Sequence, residues 1–420
     1  MRTEARTRSC GAEALLRLTM QTHRARVVAS LGTTQTLAWA SSYYLPAMLV
    51  RPIASELGVS QPTVFAAFSV ALVVSALVGP HSGRRIDRWG GRPVLMTTSA
   101  IFALGLGLLA VATGPVSLFV AWAVLGVAMG SGLYEAAFAS LVRLYGHEAR
   151  GAITGITLIA GFASTVGWPL TAALEHGLGW RGACWTWAAL HLLVGLPLNA
   201  WLPRAEYTAP AAGETPTDVK SEPAEPPLGV AISLAWVFAV TWFISTAMAA
   251  HLPGLLAGTG TAPGVVIAIG MLVGPAQVGG RLLEFGFLRR LHPLYSARVA
   301  ALMHPVGAML LLALGGPVAA AFALLHGAGN GILTIAKGTL PLALFGPTGY
   351  GHRQGMLMLP ARLAQALAPW LFGLLLAVLG TRVLWVSAGL ALSALAALML
   401  IRVPSRMQDE STSTTLEEPT

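Results

Sequence analysis

Charged side chains are scarce in this chain, and their scarcity excludes a soluble globular protein. Of 420 residues only 10% are Asp, Glu, Lys or Arg, whereas 55% are hydrophobic and the mean hydropathy is +0.69. Soluble domains carry about 25% charged residues. Cysteine is also rare, since Cys10 and Cys184 are too few for a disulfide framework or a CxxC metal site. Apolar runs of about 18 residues or more recur instead, and these are typical of membrane-spanning helices.

The apolar runs predict an all-α polytopic membrane protein with twelve transmembrane helices. Their predicted bounds are 27–50, 62–82, 93–113, 116–142, 151–173, 182–202, 229–252, 263–283, 297–315, 318–343, 355–378 and 382–401. A segment rich in proline and charge separates two groups of six and predicts a disordered cytosolic linker. The predicted domains are a disordered cytosolic tail (1–26), an N-terminal bundle (27–202), the linker (203–228), a C-terminal bundle (229–401) and a second cytosolic tail (402–420).

Basic residues are unevenly distributed between the two ends of these spans. If both termini are cytosolic, 20 of the 26 Lys and Arg residues lie on the cytosolic side, and only Arg51, Arg181 and Arg382 lie opposite. Lys and Arg near span ends stay in the cytosol. We therefore expect a multi-pass protein of the bacterial inner membrane, with the lipid bilayer rather than nucleic acid as the partner of its net charge of +9.

The two halves share three motifs in the same order, which predicts two pseudo-symmetric six-helix bundles. The matched segments are VGPHSGRRID (78–87) with VGPAQVGGRLLE (273–284), GSGLY and LYG (130–134, 144–146) with GNGIL and LFG (329–333, 344–346), and RG (150–151) with RQG (353–355). Three glycine pairs predict close helix contacts: Gly126/Gly130, Gly151/Gly155 and Gly327/Gly331.

The charged segment GRRIDRWGGR (83–92) resembles the loop between helices 2 and 3 of the major facilitator superfamily. With the twelve spans and the central linker, the resemblance extends over about residues 27–401. It implies a secondary transporter that works by alternating access on a small-molecule substrate, acts as a monomer and needs no cofactor. A second resemblance, carried by RG (150–151), PL (169–170) and GWR (179–181), is to the monocarboxylate-transporter-like branch.

Two features depart from other branches of the superfamily. Trp122 stands where the proton-coupling motif of helix 4 has an arginine, and the drug-antiporter motif of helix 5 is only partly present, as Gly167-Trp168-Pro169. Both departures count against a standard proton-driven multidrug exporter.

The resemblance also implies a cytosolic gate. Its residues would be Gly83, Asp87, Arg88, Gly90, Arg92, Arg150, Glu284 and Arg353. A helix N-terminus carries unpaired N–H groups and a partial positive charge, so Asp87 would cap helix 11 near Arg353, and Glu284 would cap helix 5 near Arg150. Both glycines are expected to let the backbone turn and pack closely, and Arg88 and Arg92 to hold the loop in the cytosol. The alternative is that this segment is only a topology signal.

Three charged residues lie deep inside predicted spans and are candidates for the substrate site, because a charge at mid-membrane is costly. Glu135 is the candidate for proton coupling and for a substrate contact, with a structural ion pair to Arg143 as the alternative. Lys337 and Arg362 would capture an anionic group, or alternatively extend towards the cytosolic membrane surface.

Polar residues on two other helices complete the predicted substrate site. In helix 1, Gln35, Trp39 and Tyr43 lie on one helical face and are expected to line the cavity, unless they form a packing stripe. Asn330 in helix 10 is a substrate contact or an inter-helix hydrogen-bonding residue. Four histidines within the spans, at 191, 251, 304 and 326, show no metal-binding spacing, and no metal site is predicted.

The leading hypothesis is a proton-coupled transporter of a small, monocarboxylate-like organic anion. The alternatives are an exporter of drugs or other amphipathic compounds, and a non-transporting membrane sensor or scaffold. The absence of HExxH, GxSxG and phosphate-loop motifs from the sequence argues against an enzyme. Substrate identity, the direction of transport and the coupling ion remain open at this stage.

Overall fold

The computed structural model describes residues 24–204 and 227–402, and the regular structure in these ranges is helical. The chain divides into two compact units, Met1–Ala211 and Ala212–Thr420. Most of the predicted tails and linker lie outside the described residues. Residues 24–26, predicted as tail, already belong to the first helix.

The N-terminal unit contains interrupted helices. Their bounds are 24–41 (α1), Leu45–Leu57 (α2), Gln61–Trp89 (α3), Gly91–Ala110 (α4), Pro115–Gly132 (α5), Tyr134–Tyr145 (α6), Ala149–Ala160 (α7), Ala163–Leu190 (α8) and Leu196–Ala200 (α9). A π-helical turn, His191–Gly195, joins α8 to α9. Gly179 has φ 70°, in the left-handed region that favours glycine, so the chain turns there between predicted spans 5 and 6.

The C-terminal unit has one helix for each predicted span. The helices are Leu228–Ala257 (α10), Pro263–Gly286 (α11), Pro293–Leu314 (α12), Ala319–Phe345 (α13), Tyr350–Leu379 (α14) and Val383–Leu400 (α15). Helices α11 and α12 begin with proline, where the missing N–H would have had no intrahelical partner.

Eight continuous helical stretches of the described chain are long and apolar enough to cross a membrane. One of them, Pro115–Ala200, contains predicted spans 4 to 6, and Tyr350–Leu400 contains spans 11 and 12. Span 1 is divided between α1 and α2 at residues 42–44. The predicted polytopic all-α fold is confirmed.

Helices α5 and α3 approach each other at the first predicted glycine pair. A Cβ atom added at Gly126 would lie 2.8 Å from the Cα of Ala71, and one added at Gly130 would lie 3.0 Å from the Cα of Ser75. Real Cβ atoms essentially never come closer than 3.0 Å, so a side chain at Gly126 would force the two backbones apart. The prediction of close contact is confirmed here.

The same arrangement recurs in the C-terminal unit between α13 and α11. A Cβ at Gly327 would lie 3.3 Å from the Cα of Val273, and one at Gly331 would lie 3.0 Å from the Cα of Gln277. The third pair also contacts a neighbour, since a Cβ at Gly155 would lie 2.8 Å from Val28 of α1. Equivalent glycine contacts in both units agree with their pseudo-symmetry.

One end of the N-terminal unit is joined by a cluster that we call the Arg181 clamp, formed by Glu56, Trp180 and Arg181. The Arg181 guanidinium donates to the carbonyls of Ala110 (2.5 Å) and Ala112 (2.8 Å) and to Glu56 Oε1 (2.8 Å). Trp180 Nε1 donates to Glu56 Oε2 at 2.5 Å, and the Arg181 guanidinium lies 4.3 Å from the Trp180 ring. The clamp ties α2, the end of α4 and α8 together.

The clamp predicts a specific dependence of stability on pH. Hydrogen bonds from Arg181, and then from Trp180, lower the pKa of Glu56 from its usual 4.5. A lowered folded-state pKa contributes stability above the unfolded-state value, and that stability is lost as the pH falls through the folded-state value. In melting-temperature series from about pH 7 to about pH 3, Glu56→Gln should lower the melting temperature at neutral pH and reduce its fall in acid.

The control for this prediction is Glu175→Gln, because the structure records no hydrogen bond or ion pair from Glu175 to another described residue. The melting temperature of this variant should fall with decreasing pH in parallel with that of the parent protein. If the melting temperature of Glu56→Gln also falls in parallel with that of the parent, the clamp contributes nothing to the pH dependence of stability.

Candidate functional site

Glu135 is positioned by a break in predicted span 4, which was expected to be one continuous helix. Leu133 is extended (φ −81°, ψ −167°), so α5 ends at Gly132 and α6 begins at Tyr134. Glu135 therefore lies in the first turn of α6 and is partly buried. Unpaired N–H groups at a helix N-terminus favour a carboxylate. The sequence signal for this break is the glycine-rich segment GSG (130–132).

Polar side chains from two other helices donate hydrogen bonds to backbone carbonyls at the end of α5. Gln35 Nε2 of α1 donates to the Gly132 carbonyl at 2.6 Å, and Thr98 Oγ1 of α4 donates to the Ser131 carbonyl at 3.2 Å. Gln35 is only 1% exposed, and no described residue donates to its Oε1. The predicted site residue Gln35 thus anchors the end of α5 and keeps one buried acceptor.

An aromatic cluster lies next to this junction. The Trp39 ring centroid is 5.2 Å from that of Tyr43, 6.2 Å from that of Tyr44 and 5.0 Å from that of Tyr134. Tyr44 contacts Trp168 in turn, at 6.1 Å. The structure therefore brings the predicted helix 1 residues together with the residue that precedes Glu135. Tyr134 and Tyr44 were missed as site candidates.

In the C-terminal unit the two predicted cations converge on one tryptophan. The Nζ of Lys337 (α13) lies 4.1 Å from the Trp242 ring centroid, and the Cζ of Arg362 (α14) lies 5.2 Å from it. Lys337 is 5% exposed and Arg362 3% exposed, so neither side chain extends to the surface of the protein. Trp242 of α10 was missed, although its segment TWFIS resembles AWASS around Trp39.

Two buried glutamines flank these cations. Arg362 Nη1 donates to Gln365 Oε1 at 3.0 Å, and Gln354 Nε2 donates to the Lys337 carbonyl at 3.0 Å. Gln365 Nε2 and Gln354 Oε1 have no hydrogen-bond partner among the described residues. The cluster therefore offers a buried amide donor beside the guanidinium.

Asn330 lies elsewhere on α13, at a small cavity that also includes His304 and His326. Two of the four histidines are neighbours in space, which their spacing in the sequence did not predict. The Nδ1 atoms of His304 and His326 are 3.0 Å apart. Within the described ranges, no group of three or more His, Cys, Asp or Glu residues could hold a metal ion.

The predicted gate segment is mostly helix rather than loop. Helix α3 continues to Trp89, and Gly90 (φ 82°) is the turn that leads into α4. Gly90 was correctly expected to turn the backbone, but Gly83 lies buried inside α3 and does not. Asp87 is partly buried on the last turns of α3, whereas Arg88 is exposed, with its guanidinium 5.6 Å from the Trp89 ring.

The remaining gate residues lie at helix ends. Arg353, in the first turn of α14, donates to the carbonyls of Phe345 (3.0 Å) and Thr348 (2.9 Å), and so satisfies carbonyls at and beyond the end of α13. Glu284 is 1% exposed near the end of α11. Arg92 and Arg150, in the first turns of α4 and α7, are partly exposed.

The sequence profile of the Major Facilitator Superfamily matches residues 31–335. The chain belongs to this superfamily. It is therefore a multi-pass membrane protein and a secondary transporter of a small molecule.

Several known proteins resemble this superfamily member. An uncharacterized 38 kDa protein in the 23S RNA operon of Thermoproteus tenax is 28% identical over 337 residues, which cover 80% of this chain and 83% of that protein. The human organic anion transporter MFSD10 (TETRAN) has a TM-score of 0.68 and 20% identity, with 89% and 99% of the two chains covered.

Two further solved structures share the fold. The proton:xylose symporter XylE bound to 6-bromo-6-deoxy-D-glucose has a TM-score of 0.71 at 12% identity, over 91% of this chain and 96% of that chain. The transporter FucP in the outward conformation has a TM-score of 0.70 at 14% identity, over 89% and 97%. Identities this low show a common fold, not a common substrate.

The gate hypothesis predicts a change of conformational balance in Asp87→Asn. Loss of the charge removes an attraction to a helix N-terminus worth about 0.3–2 kcal/mol, so the cytosol-open state should gain about 2- to 30-fold in population. Cytosolic labelling of a cysteine at position 355, in a protein without Cys10 and Cys184, should become faster. Arg84→Gln, at an exposed arginine one turn earlier on α3 and outside the predicted gate residues, is the control and should label like the parent. Equal labelling in Asp87→Asn and the parent would show that Asp87 does not hold the gate.

Proposed function

We propose that this chain is a proton-coupled transporter of small organic anions, such as a monocarboxylate. The observation that supports an anionic substrate is the convergence of two buried cations, Lys337 and Arg362, on the ring of Trp242. The fold alone does not choose a substrate, because it is shared with an organic anion transporter and with a sugar symporter. The proposal therefore depends on the charged side chains.

Like charges beside one apolar ring are costly when they are buried. A buried ion loses several kcal/mol of hydration free energy, whereas each cation–π contact returns about 0.5–2 kcal/mol. A carboxylate that binds at this cluster would be attracted by both cations. The Arg362 guanidinium is a planar fork of five N–H groups, a shape that matches a carboxylate, and one of its N–H groups donates to Gln365.

The buried amide of Gln365 strengthens this argument. Gln365 is fully buried, and its Nε2 has no acceptor among the described residues. A buried donor without a partner costs about 1–3 kcal/mol. An anion held by Arg362 would bring an acceptor oxygen to the same place, so its binding would remove that cost.

Glu135 is proposed as the group that carries the coupled proton. Its carboxyl group lies in the first turn of α6, at the break between α5 and α6, and is partly buried. A carboxyl group can bind and release one proton. A change in the hydration of the α5–α6 junction during the transport cycle would then bind or release one proton.

An exporter of amphipathic compounds is the second candidate. It is favoured by the cluster of Trp39, Tyr43, Tyr44, Tyr134 and Trp168, because aromatic rings bind flat apolar solutes without fixing their charge. The two candidates differ in whether Lys337 and Arg362 are needed.

We further propose that the transporter acts as a monomer in the bacterial inner membrane, with both termini in the cytosol. The support is the excess of Lys and Arg at the ends of the spans that face the same side as the termini.

The anion proposal predicts weaker binding when either cation is removed. Lys337→Met and Arg362→Met should each raise the Kd of a bound monocarboxylate about 10- to 150-fold, which corresponds to the loss of one hydrogen bond to a charged group. Isothermal titration on purified protein measures this change. Arg382→Met, at an exposed arginine, is the matched control and should bind like the parent. Unchanged binding in both cluster variants would favour the amphipathic exporter.

The coupling proposal predicts a loss of accumulation without a loss of exchange. In proteoliposomes with a pH gradient, Glu135→Gln should no longer concentrate the anion, because the amide cannot bind and release a proton. Exchange of labelled for unlabelled anion without a gradient should persist, since it needs no net proton movement. The control is Glu148→Gln, at an exposed glutamate. Gradient-driven accumulation in Glu135→Gln would show that another group carries the proton.

A further inference from the structure

Two histidines form a buried pair inside the C-terminal unit. His304 lies on α12 and His326 on α13; they are 7% and 5% exposed, and their Nδ1 atoms are 3.0 Å apart. The other ring nitrogen of His304, Nε2, lies 3.1 Å from Ser387 Oγ of α15. Three helices thus contribute to one hydrogen-bonded chain that the proposed anion site does not use.

The positions of the hydrogens in this hydrogen-bonded series can be assigned from Ser387. We assign the Ser387 hydroxyl hydrogen to the Leu384 carbonyl, 3.1 Å away, so that the Ser387 oxygen accepts from His304 Nε2–H, also at 3.1 Å. A neutral imidazole carries one N–H. The Nδ1 of His304 is then an acceptor, and the hydrogen in the Nδ1–Nδ1 bond belongs to His326. This leaves Nε2 of His326 as a lone-pair acceptor.

That remaining acceptor belongs to a residue that lines a cavity. The cavity has a volume of about 30 Å³, which is room for a water molecule, and no described residue donates to His326 Nε2. Its walls are formed by residues of α10, α12, α13 and α15, among them the two histidines and the polar residues Thr241 and Asn330. Apart from the two histidines, none of these residues is ionisable, so no carboxylate competes for a proton there.

The surroundings of the pair also contain a group that favours a cation. The ring of Phe322, which is fully buried, lies 5.7 Å from the His304 ring and 6.0 Å from the His326 ring. The face of an aromatic ring attracts a cation within about 6 Å. The cost of burying one charge is therefore reduced for either histidine.

We propose that the His304–His326 pair is a proton-binding site within the C-terminal unit. A hydronium ion that enters the cavity gives up one proton: one of its O–H bonds breaks, leaving water, and an N–H bond forms at His326 Nε2. The Nδ1–H bond of His326 then breaks, and the same hydrogen bonds to Nδ1 of His304. One proton is gained, no electron is transferred, and the charge ends on His304, whose Nε2–H still donates to Ser387. The site stores a proton but does not conduct it further, because the Ser387 hydroxyl ends on a backbone carbonyl.

The N-terminal unit provides a matched control. His191 is also buried, with its Nε2 2.8 Å from Ser41 Oγ and its ring stacked 4.6 Å from that of Phe102. It has a serine and a phenylalanine as neighbours but no second histidine. A proton cannot be passed to a neighbouring ring there.

The test is ¹⁵N NMR of histidine-labelled protein in lipid nanodiscs without any substrate. At about pH 8, His304 should be the Nε2–H tautomer and His326 the Nδ1–H tautomer. As the pH is lowered to about 4, both should change together in one step of a single proton. His326→Gln should remove that step from His304, while His191→Gln should leave it unchanged.

Three results would overturn the proposal. They are an Nε2–H tautomer at His326 in the parent protein, two independent titrations, or spectra of both histidines that do not change down to about pH 4. The tautomers are read on the unmodified protein, so a folding defect in His326→Gln does not prevent the decision. Because no anion is present, a failure of the proposed anion transport leaves this result unaffected.

Discussion

Backbone contact between paired helices is the constraint on which the positions of the functional side chains depend. In both units a glycine pair lets one helix lie directly against another, α5 on α3 and α13 on α11. At about 100° per residue, His326, Asn330 and Lys337 share one face of α13, which lies about 100° around the helix from Gly327 and Gly331. Fixing the glycine face against α11 therefore aims the polar face towards α10, α12 and α14. A methyl group at Gly331 would displace this whole face.

Polar groups in an apolar medium must find partners inside the protein, and this requirement shapes the α5–α6 junction. In lipid, unsatisfied backbone groups cost several kcal/mol each. The break at Leu133 is tolerated because Gln35 and Thr98 supply donors to the freed carbonyls. The same side chains hold α1 and α4 against the junction, so the aromatic cluster and Glu135 keep a defined geometry. The break between α5 and α6 thus fixes the positions of Glu135 and of the neighbouring aromatic rings.

The sequence was sufficient for the fold and for the general kind of site. Hydropathy and the repeat predicted twelve spans in two bundles, because both are one-dimensional properties of the chain. The side chains around Trp242 could not be predicted, since their convergence depends on the rotation of three helices. The pairing of His304 with His326 depends in the same way on the packing of α12 against α13. Gly83 was misjudged because a glycine inside a helix and a glycine in a turn look alike in sequence, and only the φ angle separates them.

The Arg181 clamp has a mechanical consequence. The Arg181 guanidinium of α8 holds the ends of α2 and α4 through three hydrogen bonds, to Glu56 and to the carbonyls of Ala110 and Ala112, and makes a cation–π contact with the Trp180 indole beside it. The ends of α2 and α4 and the part of α8 around Arg181 are therefore expected to move together. We expect bending during a transport cycle to occur instead at the helix breaks of the same unit, at residues 42–44, Leu133 and Gly161-Phe162. The clamp would thus make its end of the N-terminal unit rigid, and the helix breaks would allow the rest of the unit to bend.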